Sequence, residues 1–82
     1  MIAWGKEVPQ RVIDAGIAAM KSRAEFLPVD IRDAINAAWG AELPELERSE
    51  IVRIASRNLI DLESRAGRID LVRRGVYRCI AE

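Results

Sequence analysis

Gly67-Arg68-Ile69-Asp70-Leu71-Val72-Arg73-Arg74-Gly75-Val76-Tyr77-Arg78-Cys79-Ile80 decides how this chain folds. Arg68–Val72 alternates polar and apolar residues with a period of two, and Val76–Ile80 is rich in β-branched and aromatic residues. Both patterns suit strands. Arg73-Arg74-Gly75 between them reads as a tight turn with Gly75 at positive φ. Gly67 closes whatever precedes the hairpin, because glycine is the usual residue just past a helix end.

Upstream of Gly67 the period changes to that of helices. A third helix is expected from Ser49 to Ala66, with Ser49 as its N-cap. At about 100° per residue, Ile51, Ala55, Leu59, Leu62 and Ala66 share one arc, flanked by Val52 and Ile54. The opposite face carries Arg53, Ser56, Arg57, Ile60 and Ser64, with Asp61 nearby. Ile60 is out of place there and leaves two readings, a thymine-methyl contact or a subunit interface.

A second helix is expected from Val29 to Trp39. Its stripe is Ile31, Ala34, Ile35, Ala38 and Trp39, with Trp39 in the core. Asp30 and Asp33 suit its positive N-terminus, and Gly40 reads as its stop. Pro28 forces a break at Phe26-Leu27-Pro28. A first helix is expected from Pro9 to Glu25, with Val12, Ile13, Ile17, Met20 and Ala24 on one face. Proline suits the first helical position. Gly16 weakens that helix by roughly 1 kcal/mol but permits a close helix crossing. Residues 1–8 form an arm in which Trp4 is either a cap on the core or an exposed contact, of which the cap is expected. Residues 41–48 form an acidic connector (Glu42, Glu45, Glu47) that Leu43 and Leu46 are expected to pin down.

The expected fold class is mainly α with a small β-hairpin. It is a single domain over residues 1–82: an arm over 1–8, three helices over 9–66 and a hairpin over 67–80. Eighty-two residues, half of them hydrophobic, allow a modest core and argue against disorder.

The formal net charge is zero, yet the charge is divided unevenly. Residues 1–47 carry five Lys/Arg against eight Asp/Glu, a net of −3; residues 48–82 carry eight arginines against five acids, a net of +3. Arginine is the better fork for phosphate oxygens and guanine edges. Cys79 is the sole cysteine, and there is no histidine. No internal disulfide can form, so a reducing cytoplasm is the expected compartment. No Cys/His metal site can be assembled, and no cofactor is expected. The apolar runs are too short to span a bilayer, and the first residues lack the pattern of a signal peptide. Without histidine, a glycine-rich phosphate loop or a nucleophile–base set, no enzyme is expected.

Three helices followed by a basic hairpin resemble the winged helix-turn-helix family of DNA-binding domains. The stretch from Leu59 to Asp70 resembles that family's helix-to-strand junction. Val72-Arg73-Arg74-Gly75-Val76-Tyr77-Arg78 looks like its wing, and Phe26-Leu27-Pro28-Val29-Asp30-Ile31-Arg32 resembles the opening of its second helix. The resemblance spans residues 9–80. It implies that the third helix enters the major groove of double-stranded DNA and that the hairpin tracks the adjacent backbone or minor groove. Carried onto this chain, the contacting residues are Arg53, Ser56 and Arg57, with Arg48, Ser49 and Glu50 at the helix entry. Arg73 and Arg74 fall at the wing tip, and Arg68 and Arg78 near its base.

A small transcriptional regulator is the function implied, with a homodimer allowed for. The alternative is a protein-interaction module or small inhibitor on the same scaffold. The acidic connector supports it, because it is longer than a DNA-facing turn usually is. Tyr77 leaves two roles, phosphate contact and ring packing on the third helix, of which packing is expected. Cys79 is expected to be a small apolar filler.

Overall fold

A computed structural model describes residues 1–80. The elements run in the order β1 (Ile2–Ala3), β2 (Lys6–Glu7), α1 (Gln10–Lys21), α2 (Pro28–Trp39), a 3-10 turn (Gly40–Glu42), α3 (Arg48–Arg65), β3 (Ile69–Arg73) and β4 (Val76–Cys79). The chain is thus mainly helical, with a two-stranded antiparallel hairpin at its C-terminal end. Among the described residues, no helix is long and apolar enough to cross a membrane.

The core gathers where α1, α2 and α3 meet. Its fully buried members include Val12, Met20, Phe26, Ile31, Ile35, Ile51 and Leu59. Gly16 makes the α1–α3 crossing possible. A Cβ built there would lie 2.4 Å from Leu59 Cδ2, so any side chain would force either the buried Leu59 side chain or the helices to shift.

α1 stops at Lys21, four residues before the expected end at Glu25. The Ser22 hydroxyl closes it by donating to the Ala19 carbonyl at 2.8 Å. Ala24 therefore leaves the apolar stripe and is exposed. The chain unwinds early because Phe26 is needed elsewhere. Its N–H donates to the Tyr77 carbonyl (2.8 Å), and the Tyr77 N–H donates back (2.9 Å). The α1–α2 connector is thereby tied to β4. The two rings follow, stacked at 5.7 Å with planes 18° apart. Tyr77 packs, as expected, but its partner is Phe26. α2 then starts at Pro28, where the Asp30 carboxylate accepts the Leu27 N–H at 2.8 Å. α2 ends at Trp39 with Gly40 as its C-cap, as expected, but Gly40 is helical and buried, not left-handed, and the chain continues into the 3-10 turn.

α3 begins one residue before Ser49. Its N-cap is Glu47, with no side-chain hydrogen bond, so Ser49 is not the cap. The helix ends in a Schellman pattern. Arg68 N–H reaches the Glu63 carbonyl (3.0 Å) and Gly67 N–H the Ser64 carbonyl (3.1 Å), with Gly67 at φ 75°. Two adjacent columns of α3 are buried. One is Ile51, Ala55 and Leu59; the other is Val52, Ser56, Ile60 and Glu63. Ser56 and Ile60, expected on the outward face, are inside. Leu62, expected inside, is 47% exposed. The second column exists because α2 lies along that flank: the Ser56 hydroxyl faces the Pro28 carbonyl at 3.5 Å.

The C-terminal hairpin pairs Ile69 with Cys79, Asp70 with Arg78, Leu71 with Tyr77 and Arg73 with Val76, with a bulge at Val72. Arg74 and Gly75 form its turn, and Gly75 has the expected positive φ. Only Ile69 is fully buried, so the hairpin is rooted at its base and projects at its tip. Cys79 is half-buried, with a free thiol.

The N-terminal arm is also a hairpin, pairing Ile2 with Glu7 and Ala3 with Lys6. Ala3 and Val8 enter the core, but Trp4 does not. It sits in the two-residue turn at φ 55°, followed by Gly5 at φ 72°, and is 52% exposed. Two successive positive φ values give the turn the hand that suits a twisted hairpin. They also place a bulky residue in a conformation that costs it roughly 1–2 kcal/mol.

Candidate functional site

The outward ridge of α3 forms one wall of an open groove of about 610 Å³. Arg53, Arg57, Asp61 and Arg65 line it from α3, Arg32 from α2 and Tyr77 from β4. The spacing explains the α3 set, because residues four apart stack along one side of a helix. Four guanidiniums against one carboxylate make the groove cationic.

The guanidiniums are not equivalent. Arg53 donates to Glu50 one turn earlier. That hydrogen bond pushes the Arg53 pKa up and holds the exposed Glu50 carboxyl below its usual range. Arg65 pairs with Asp61 at 3.1 Å. Among the described residues, Arg57 and Arg32 have no carboxylate partner within ion-pair distance. Arg57, at the middle of the ridge, is therefore the guanidinium most available to an incoming anion.

The structure brings only some of the expected residues together. Arg53 and Arg57 share the groove. Ser56 contributes to its floor from a buried position (4% exposed) and is no outward contact. Arg48 is half-buried at the start of α3 and donates to the Leu43 carbonyl at 3.3 Å. Its Nε is buried without a partner. Arg48 and the exposed Ser49 line a separate, smaller recess.

Arg68 is turned away from the groove. It grips Glu63, whose side chain is 7% exposed, with Nη2–Oε1 at 3.1 Å. The bond raises the Arg68 pKa. This pair fastens the α3–β3 junction, with the carboxylate buried and the guanidinium exposed. Arg68→Ala would leave the buried Glu63 carboxylate without its cation, and is expected to lower the midpoint in urea denaturation.

On the hairpin, Arg73 pairs with Glu25 at 3.2 Å, which braces the tip against the α1–α2 connector. Arg78 pairs across the strands with Asp70 at 3.4 Å. Arg74, in the turn, has no carboxylate partner among the described residues.

The acidic connector is partly neutralised. Arg11 of α1 holds Glu42 and donates to the Ala38 carbonyl at 2.6 Å. Leu43 pins the connector to the core, but Leu46 is 99% exposed between Glu45 and Glu47.

Arg32 and Arg65 are the groove arginines that the sequence did not single out, and Arg32 lies on a different helix from the rest. Arg32 follows Ile31 in a helix whose sequence pattern is dominated by its apolar stripe. The usable signal was Pro28, which places Arg32 in the second turn of α2, alongside the ridge. No protein-family model matches the chain, and neither does any curated protein or solved structure.

Proposed function

We propose that the chain binds double-stranded DNA as a winged helix-turn-helix domain, with α3 in the major groove and the β3–β4 hairpin as the wing, and serves as a small transcriptional regulator. The observation that carries this reading is the arginine groove: Arg32, Arg53, Arg57 and Arg65 line one concave face of a chain with no net charge. Arg53 and Arg57 reach base edges, each able to fork onto a guanine. Arg32 and Arg74 meet phosphates, and Arg73 does so once it exchanges Glu25 for the backbone. The Glu50 partner of Arg53 suits a base-reading role, because it fixes the fork before contact. The chain acts without catalysis or cofactor, in a reducing cytoplasm, as a monomer or as a homodimer on paired half-sites.

The test is a selection from a random duplex pool, followed by titration of the selected site. Arg53→Ala is expected to relax the sequence preference and weaken binding about 5- to 100-fold, the usual worth of a bidentate base contact. Arg73→Ala combined with Arg74→Ala is expected to weaken all duplexes alike and to flatten the salt dependence by one to two units of slope. A pool that yields no enriched sequence would remove the regulator reading.

One observation favours a second reading, protein docking. Leu46 is almost wholly exposed at the tip of an acidic loop, where it could enter an apolar pocket rimmed by basic residues. A stoichiometric protein complex lost in Leu46→Ser, in a chain that retains no duplex, would establish that reading instead.

A further inference from the structure

We infer that the N-terminal hairpin is a second wing: Trp4 and Lys6 contact the sugar-phosphate backbone of the same duplex on the flank of α3 opposite α2. This inference rests on the duplex-binding reading above and extends it to a part of the chain that the arginine groove does not include.

The placement comes from Asn58. Its side-chain amide donates to the Ile2 carbonyl at 3.1 Å, which fastens β1 to α3. Asn58 also lines the arginine groove. At about 100° per residue, Asn58 lies one step round the helix from Arg57 on one side, and Ser56 one step round on the other. The Ser56 side faces Pro28 of α2. The Arg53–Arg57 ridge thus runs between α2 on one flank and the N-terminal hairpin on the other. Trp4 is two residues on from Ile2, whose carbonyl Asn58 holds, which is about 7 Å of extended chain.

The tip has the chemistry for a backbone contact. Trp4 is exposed although the other tryptophan, Trp39, is buried. Its indole offers a flat apolar face for a deoxyribose and one N–H for a phosphate oxygen. Lys6 beside it is exposed and has no carboxylate partner among the described residues. A turn requiring left-handed φ at two positions favours Asn or Gly. This one places tryptophan there, where it adds nothing to the core. Backbone outliers of this kind cluster at sites of function. Charge complementarity with the adjoining arginines selects a polyanion as occupant.

The experiment compares the wild-type chain, Trp4→Asn and Lys6→Ala, each titrated with the same selected duplex, with thermal melts alongside. Asparagine tolerates the turn, so Trp4→Asn is expected to melt at or above the wild-type temperature and yet bind about tenfold more weakly. Lys6→Ala is expected to reduce the salt slope by about one unit. In a Trp39→Phe background, duplex addition is expected to change Trp4 fluorescence. Wild-type binding with both variants equal to wild type would overturn the second wing and leave the arginine groove intact. A lower melting temperature in Trp4→Asn would also overturn it, by assigning Trp4 a structural role. Absence of wild-type binding would overturn the duplex reading itself, and the second wing with it.

Discussion

Arg57→Glu is expected to lower the affinity for a cognate duplex by about 100-fold or more. Losing a forked contact to a guanine or phosphate costs about 1–3 kcal/mol, and each 1.4 kcal/mol is tenfold. Arg57 has no carboxylate partner among the described residues, so it reaches DNA without first breaking an ion pair. The new carboxylate would face the same phosphates, and repulsion adds to the loss. Arg57 is exposed and makes no core contact, so the fold should be untouched. Anisotropy titration with a melt as control checks both halves. A change smaller than threefold, in a protein that melts normally, would take Arg57 out of the interface. Arg53→Glu should be less severe, because Glu50 already draws on that guanidinium.

The second large effect is on stability. Leu59→Ala is expected to cost about 3–5 kcal/mol, at the upper end for a buried leucine. Leu59 is 2% exposed, and its Cδ2 fills the space left by the missing side chain of Gly16. With neither side chain present, the α1–α3 crossing would hold a cavity that neither rigid helix can close. A domain of this size has roughly 4–12 kcal/mol of stability in total. The variant should therefore lose much of its helical signal at moderate urea. Gly16→Val approaches the same contact from the other side, overpacking it for about 1–3 kcal/mol. A loss below 1 kcal/mol in Leu59→Ala would mean that the crossing relaxes freely and that the core lies elsewhere.

The helices and the C-terminal hairpin were legible because local rules govern them. Gly67, Gly75 and the two-residue period of Arg68–Val72 act through the backbone alone. What was misread depended on layers that no local pattern announces. Ser56 and Ile60 look outward on a helix with one buried face, but α3 has two covered flanks. α1 ends early because Phe26 pairs with Tyr77, a partner 51 residues away. Trp4 was assigned to the core on size; a turn with two positive φ values turned it out. Arg11 holds Glu42 of the acidic connector across 31 residues, a pairing that no local pattern announces. Arg53 and Arg57 were legible from their four-residue spacing. Arg32 was not, because its place beside the ridge depends on how α2 meets α3.

The central claim is that the arginine groove binds the phosphate-bearing surface of duplex DNA. The most direct measurement is the dissociation constant of the wild-type chain for its selected duplex across a salt series. Four phosphate contacts, from Arg32, Arg73, Arg74 and Lys6, predict that log K falls with log salt at a slope of about −3.6, near −0.9 per contact. A slope near zero, or no binding at micromolar protein in low salt, would contradict the account.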